Sequence, residues 1–389
     1  MISMLFSVTT SEDYLRRIET TRRMMEQQGV DLLLVYADAW KSGNCRYLTG
    51  IKPSRAMMEA PEVGYGKQII SLPLVGDPIL WVTDFEDAWV RKELALQTAE
   101  EEAWMKVEKW SALRGALKTM AGGVKRVGYE GKWITPWPIY EMVRGATGEK
   151  LTDCNILEIE RRVKSKNEIR LIEAACNIND RLCEYLVHDI VRYGTTEKEV
   201  ERKLESLGHE MGADKVDANF MVSKDMAWGH STDTSFDDGD LLSLHCILEY
   251  EGYNSDNDRL FGFGNISPRA KELSALCVKS FKNGVATAKP GVRGSDVLQA
   301  VRETHEFSAA FPWTGGHGIG LDGEEGIVQE AATQEGGDFD NWTLEPGMTF
   351  CLHAGAFGYG LQWGTEDVIL VTKNGARSLT KFPRDHIIK

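Results

Sequence analysis

The sequence predicts an α/β chain of two domains, an α/β layer followed by a unit of two helices and strands that occurs twice. Three observations predict it. Helical and strand-like apolar patterns alternate from Ser11 to about Asn155. A charged stretch, Leu157 to Ser165, then leads into a long amphipathic helix. After it, two helices and strands run once to about Phe263 and again to the C-terminus, as an internal duplication would, although identity between the halves is too low to show it by sequence. A chain of 389 residues has room for two full cores. The boundary is expected near Leu157, giving domains 1–157 and 158–389.

In the first domain, Ser11 to Gln28 carries a helical pattern and Asp31 to Tyr36 is a buried-strand run. Gln68 to Val75 and Ile79 to Val82 read as a hairpin around Gly76-Asp77-Pro78. Helices are expected over Asp84 to Leu94, Lys109 to Met120 and Pro136 to Arg144, with a strand at Arg126 to Tyr129. In the second domain, Ile169, Ile172, Cys176, Cys183, Leu186 and Ile190 recur at helical spacing, which predicts one helix over Lys166 to Ile190. Thr196-Glu-Lys-Glu199 is a capping box for a helix reaching about Met211. Strands follow around His245. A third helix is expected over Pro268 to Ala288, ended by Lys289-Pro-Gly291, and a fourth capped by Ser295.

Five metal-capable side chains fall in the last 150 residues on short Gly-flanked or strand-patterned segments. They are His245 in Gly239-Asp-Leu-Leu-Ser-Leu-His245, Asp256 in Gly252-Tyr-Asn-Ser-Asp256, and His317 in Gly315-Gly-His-Gly-Ile-Gly320. The others are His353 in Leu344-Glu-Pro-Gly-Met-Thr-Phe-Cys-Leu-His353-Ala-Gly355, and Glu366 in Gly364-Thr-Glu-Asp-Val-Ile-Leu-Val371. Rigid strand ends can aim such groups into one cleft. Each segment alone is a weak signal.

In this order and spacing, the segments resemble the catalytic domain of the creatinase/aminopeptidase family, which includes methionine aminopeptidase, prolidase, aminopeptidase P and creatinase. The resemblance covers roughly residues 10 to 389, is densest from Lys166 onward, and extends to Asn44-Cys-Arg-Tyr-Leu-Thr-Gly50, which marks the fold. It implies a creatinase-like N-terminal α/β domain and a C-terminal "pita-bread" domain with pseudo-twofold symmetry. The family's metallopeptidases hold two divalent ions with Asp, Asp, His, Glu, Glu. Asp256 matches the second Asp, His317 the His and Glu366 the last Glu. His245 stands where the first Asp belongs and His353 where the first Glu belongs. Asp256 and Glu366 with three neutral imidazoles offset the charge of one dication, so one ion is favoured over two, with Fe, Zn, Mn or Co the suitable metals.

The chain is closest in character to the creatinase-like, non-peptidase members, and there the resemblance leaves a second reading open. Creatinase keeps the fold without a metal. Gly239-Asp-Leu-Leu-Ser-Leu-His-Cys246 is close to its corresponding segment, Asp258 falls where it has a catalytic Glu, and His386-Ile-Ile388 resembles its ending. In this reading no metal is bound, and His230 and Asp258 serve as acid and base. His230, in Trp228-Gly-His230-Ser-Thr-Asp233, also lies where both branches place a substrate-facing imidazole.

Trp228, Trp313 and Trp363 lie within four residues of His230, His317 and Glu366 and are candidates for a π-rich substrate wall, against the plainer alternative of core packing. Arg55 or Lys52 is a candidate for a substrate carboxylate across a dimer interface. His188, His209 and His305 sit on or at the end of amphipathic helices and are read as surface or core residues.

A net charge of −14 disfavours nucleic acid and anionic membranes as partners and is explained by solubility. Neither a signal peptide nor an 18-residue apolar run is expected. Seven cysteines without a CxxC pair look like the reduced, mostly buried thiols of a cytoplasmic protein. Nucleophile-elbow, P-loop and dinucleotide fingerprints are absent from the sequence.

The resulting expectation is a homodimeric hydrolase of this family that cleaves a C–N bond of a small molecule, with water activated at a His-rich, mononuclear site. The alternatives are a metal-free amidinohydrolase or amidohydrolase, an Fe- or Mn-dependent lyase or oxygenase, and an Xaa-Pro aminopeptidase or dipeptidase.

Overall fold

The computed structural model describes residues 9–54, 66–98, 104–190, 192, 194–222, 231–304, 311–325, 341–358 and 361–388. It divides into two compact units, Met1–Arg161 and Arg162–Lys389.

In the first unit, α1 (Ser11–Gln28) starts at a Thr10/Asp13 capping box and ends at Gly29, whose φ of 68° suits a residue without a Cβ. It leads to β1 (Leu32–Asp38), buried along its whole length, and α2 (Gly43–Thr49). Then come β2 (Lys67–Pro73), β3 (Ile79–Val82), α3 (Asp87–Thr98), β4 (Lys106–Lys109), α4 (Trp110–Gly122), β5 (Val127–Glu130), α5 (Trp137–Thr147), β6 (Leu151–Asp153) and α6 (Ile156–Glu160). The six strands form one mixed sheet in the order β4-β3-β2-β1-β5-β6. Its core joins Leu34, Tyr36 and Tyr129 to Leu113, Leu117 and Val143 of α4 and α5.

Two expectations for this unit shift. The helix expected from Asp84 begins at Asp87, because Thr83 to Glu86 form a turn in which the Thr83 hydroxyl donates to Glu86 at 2.9 Å. Strands β4 and β6 and helices α2 and α6 are additional; at three to seven residues each is too short to display a period.

The second unit opens with α7 (Lys166–Tyr185), capped by Ser165 and Glu168, and continues as a π-turn over Leu186–Ile190 where the sequence suggests unbroken α-helix. Next are α8 (Glu197–Glu210), on the expected Thr196/Glu199 box, β7 (Lys215–Val222), β8 (Leu241–Tyr250) and β9 (Tyr253–Phe263). Ser267 caps α9 (Pro268–Thr287). The N-cap of α10 (Gly294–Glu303) is Arg293, so Ser295 lies inside the helix and does not cap it. Strands β10 (Phe311–Gly318), β11 (Thr349–Gly358), β12 (Leu361–Thr372), β13 (Gly375–Ser378) and β14 (Asp385–Ile388) complete the unit.

The large sheet runs β10-β11-β12-β9-β8-β7, with β13 on β12 and β14 on β9. Read from either edge, each half is a three-strand antiparallel meander preceded by two helices. The halves meet at β9 and β12, which pair at Glu366 and Asp258. This is the pseudo-twofold arrangement of a pita-bread domain.

Alternation divides the central strands by face. Leu242, Leu244, Phe261 and Phe263 pack with Leu182, Val200 and Leu204 of α7 and α8. Phe350, Leu352, Ile369 and Val371 pack with Phe281, Val297 and Val301 of α9 and α10. The residues between them, including His245, Asp256, Asp258, His353 and Glu366, therefore share the opposite face. Among the described residues, no helix is long and apolar enough to cross a membrane.

Candidate metal centre

Strand register brings the five candidate ligands together. His245 on β8 lies opposite Asp258 on β9, two residues beyond Asp256. His353 on β11 lies opposite Glu366 on β12, and His317 on β10 lies opposite Cys351 on β11. His245 Nε2 is 2.9 Å from Asp256 Oδ1 and 3.5 Å from Glu366 Oε2. His353 Nε2 is 2.7 Å and His317 Nε2 is 3.4 Å from Glu366 Oε1. The His317 and His353 rings meet edge to face, with centroids 5.2 Å apart.

Two features fit this set to a divalent transition ion. The first is the orientation of His317: its Nδ1 lies 3.0 Å from the carbonyl oxygen of Gly318, which can only accept, so Nδ1 carries a proton and Nε2 is the nitrogen that can exchange its proton for an ion beside the carboxylates. The second is that Asp256 and Glu366 are buried carboxylates faced by imidazole nitrogens, so that only a proton or a cation on those nitrogens offsets their charge. Burying two such carboxylates without that compensation is costly. A cation between lone pairs of imidazole and carboxylate removes both costs. Three imidazoles and two carboxylates suit Zn(II), Fe(II), Co(II) or Mn(II).

The titration behaviour of the cluster reflects its charges. Burial works against ionisation of Glu366, yet His353, His245 and His317 together hold its carboxyl well below the usual range. Burial, followed by the charge of Glu366, raises Asp256. Burial disfavours the imidazolium of His317, but Glu366 and Asp256 outweigh it and push the ring up to about 9. Burial drives the Asp258 carboxyl up to about 7, opposed by His245 and by the Ser243 hydroxyl that donates to it at 2.8 Å.

Two members of this face were not singled out from sequence, Ser243 and Cys351. Asp256, His317, Cys351 and Glu366 each offer a ligand atom within 4.8 Å of the others. The signal was present: Cys351 precedes His353 by two residues, and Ser243 precedes His245 by two, so each pair shares a strand face.

Other candidates fall elsewhere. His230, Trp228 and Arg55 lie outside the described residues, as does His305. Trp313 and Trp363 stand on β10 and β12, while their side chains lie outside the description. His188 is exposed, and His209 Nδ1 lies 2.9 Å from the Ala213 carbonyl. Beside His317, a Cβ on Gly318 would stand 2.5 Å from the Trp342 ring and one on Gly320 would stand 2.7 Å from Glu325 Oε1, so these two glycines allow close packing.

Residues 170–373 match the sequence profile of Metallopeptidase family M24, and residues 17–163 match the Creatinase/Prolidase N-terminal domain. The chain belongs to metallopeptidase family M24. It is a hydrolase of that family. Among M24 relatives, the Xaa-Pro dipeptidase of Pyrococcus horikoshii is 28% identical over 331 residues, covering 81% of this chain and 89% of the relative. The Xaa-Pro dipeptidase of Pyrococcus furiosus is 26% identical over 387 residues, covering 95% and 99%. The M24 fold recurs in the crystal structure of the prolidase from Pyrococcus horikoshii OT3, with a TM-score of 0.78 at 24% identity over 95% of this chain and 99% of that one. The Xaa-Pro dipeptidase from Bacillus anthracis superposes with a TM-score of 0.78 at 21% identity, covering 97% and 100%.

Proposed function

We propose that this M24 hydrolase cleaves the C–N bond of a small, dipeptide-sized amide at a single divalent transition ion, with Xaa-Pro dipeptides the first substrate class to test. The convergence of His245, Asp256, His317, His353 and Glu366 on one face of the sheet carries the metal assignment. The kinship with Xaa-Pro dipeptidases supports the substrate class. It moves the emphasis from a creatinase-like small molecule toward a dipeptide.

Asp256, His317 and Glu366 would hold the ion, with His245 and His353 completing a nitrogen-rich set. A bound ion would supply Lewis acidity, polarising a scissile carbonyl and lowering the pKa of water. Within the chain, Gly318 fixes the orientation of His317, and Ser243 orients Asp258. Asp258, titrating about 7, can hold or release a proton beside His245 near neutral pH. His230 is the candidate for moving a proton to the leaving nitrogen. The proposed enzyme is a cytoplasmic homodimer, in line with the family resemblance.

A specific feature favours the second reading. Asp258 has the tuned acidity that a metal-free amidohydrolase would use with His230. Elemental analysis of protein purified without a metal-affinity column, wild type beside His353→Ala, separates the two. Near-stoichiometric zinc, iron, manganese or cobalt that drops in the variant, with turnover of an Xaa-Pro panel, supports the metal reading. Metal-free protein that hydrolyses guanidino or cyclic amide compounds refutes it.

A further inference from the structure

We propose that Cys351 is a metal ligand, so that the centre takes a thiophilic ion through Asp256, His317, Cys351 and Glu366. The proposal rests on the single-ion reading above and extends it to a sulfur donor.

Cys351 is the third residue of β11, opposite His317 on one neighbour and Val368 on the other. Its side chain is fully buried, on the face that carries His353 and Glu366. The ligand atoms of Asp256, His317, Cys351 and Glu366 all lie within 4.8 Å of one another. Donors around a tetrahedral ion with bonds of about 2.0–2.3 Å stand roughly 3.3–3.8 Å apart, a contraction within reach of small side-chain rotations. Two members call for a positive group, since Asp256 and Glu366, each about 1% exposed, are buried carboxylates whose facing partners are imidazole nitrogens, His245 Nε2 at 2.9 Å and His353 Nε2 at 2.7 Å, places where an ion can stand in for a proton. One nitrogen, two carboxylates and a thiolate supply four donors, to which a further ligand can add. His245 and His353, at 23% and 15% side-chain exposure, are the more exposed members of the face and complete the set from its rim.

On uptake, the Cys351 S–H bond breaks, its proton leaves to solvent and the sulfur–metal bond forms, with no change of oxidation state. Sulfur in the set biases the centre toward Zn(II), Co(II) or Fe(II) and away from Mg(II) and Ca(II).

The internal symmetry supplies the competing role. Ser243 stands two residues before His245, as Cys351 stands two before His353, and the Ser243 hydroxyl donates to Asp258. By analogy the thiol would merely donate to Glu366. Spectra of the Co(II)-loaded full chain distinguish a ligand from a donor.

Thiolate ligation gives a sulfur-to-cobalt charge-transfer band in the near ultraviolet beside the visible d–d bands. The band should disappear in Cys351→Ser while the d–d bands persist. X-ray absorption of the zinc-loaded wild type needs no variant and should show a sulfur shell at about 2.3 Å. Cobalt or zinc bound with nitrogen and oxygen donors alone, or a charge-transfer band that survives in Cys351→Ser, overturns the sulfur assignment and leaves the metal reading intact. Failure to take up either ion overturns both.

Discussion

His245 and His353 occupy the same position in the two halves of the sheet. His245 faces Asp258 across β8 and β9, His353 faces Glu366 across β11 and β12, and Asp258 faces Glu366 across the central pair. Both departures from the metallopeptidase ligand set are thus the same change made twice about one pseudo-axis. By the family resemblance, each places an imidazole where a carboxylate is expected, on the middle strand of its half. On the proposed single-ion reading, the two halves lose negative charge symmetrically, and the centre between them would keep enough for one dication.

Restoring both carboxylates should restore a second ion. The double variant His245→Asp, His353→Glu is expected to bind two equivalents of Co(II) or Mn(II) per chain by elemental analysis, against one for the wild type. A double variant that still binds one would show that charge count does not set the stoichiometry.

Glu366 is the carboxylate that three imidazoles surround, so its loss is expected to be the most damaging single change to the centre. Glu366→Gln keeps the shape but removes the charge. Metal affinity should fall by more than about 100-fold, the upper end of what losing an outer-shell partner costs. Competition with a chromogenic chelator measures it, and a loss below about tenfold would place the ion elsewhere.

How far the sequence is legible follows from what encodes each part. The α7 and α8 boxes at Ser165 and Thr196 and the apolar stripe of α7 are local signals, visible in a few consecutive residues. The five candidate ligands were legible through motif spacing, but their convergence depends on strand register, a non-local property. Cys351 and Ser243 escaped for that reason, since only the pairing of β10, β11 and β12 sets Cys351 beside His317 and Glu366. The early stop of α7 at Tyr185 and the role of Gly318 against Trp342 depend on packing that no short window contains.

Glu130 predicts a pH dependence in the first unit. Its carboxyl is buried and accepts the backbone N–H groups of Leu157 at 3.0 Å and Glu158 at 2.9 Å. Burial exceeds the effect of these bonds and pushes it from 4.5 up to about 8. A carboxyl raised on folding lends stability that is fully present below its unfolded value and is lost as pH rises through the folded one. The thermal midpoint of the wild type should therefore fall relative to Glu130→Gln between about pH 4.5 and 8, because the amide has no proton to lose. Melting curves of both proteins across that window test it, and a constant offset would mean that Glu130 does not titrate there.

The last prediction concerns the residue that ties the site strands together from behind. Arg259 is fully buried on the helix-covered face, paired with Asp367, which also meets Arg384 and Thr380. Its Nη1 donates to the carbonyl of Asp258 at 2.9 Å and to that of Glu366 at 2.7 Å. Those are the two residues at which β9 and β12 are in register, so one guanidinium bridges the central strands directly beneath the candidate ligands. Arg259→Met would leave Asp367 with less compensation and two carbonyls without their donor. The expected loss is about 3–5 kcal/mol, or roughly 6–20 °C in Tm. Arg259→Lys keeps the charge but has no planar fork to serve both carbonyls and the carboxylate, and should fall between the two. Metal affinity should decline in the same order, because Asp258 and Glu366 are held by the bridge. Equal affinity in all three proteins at a temperature where each is folded would show that the bridge supports the fold without positioning the site.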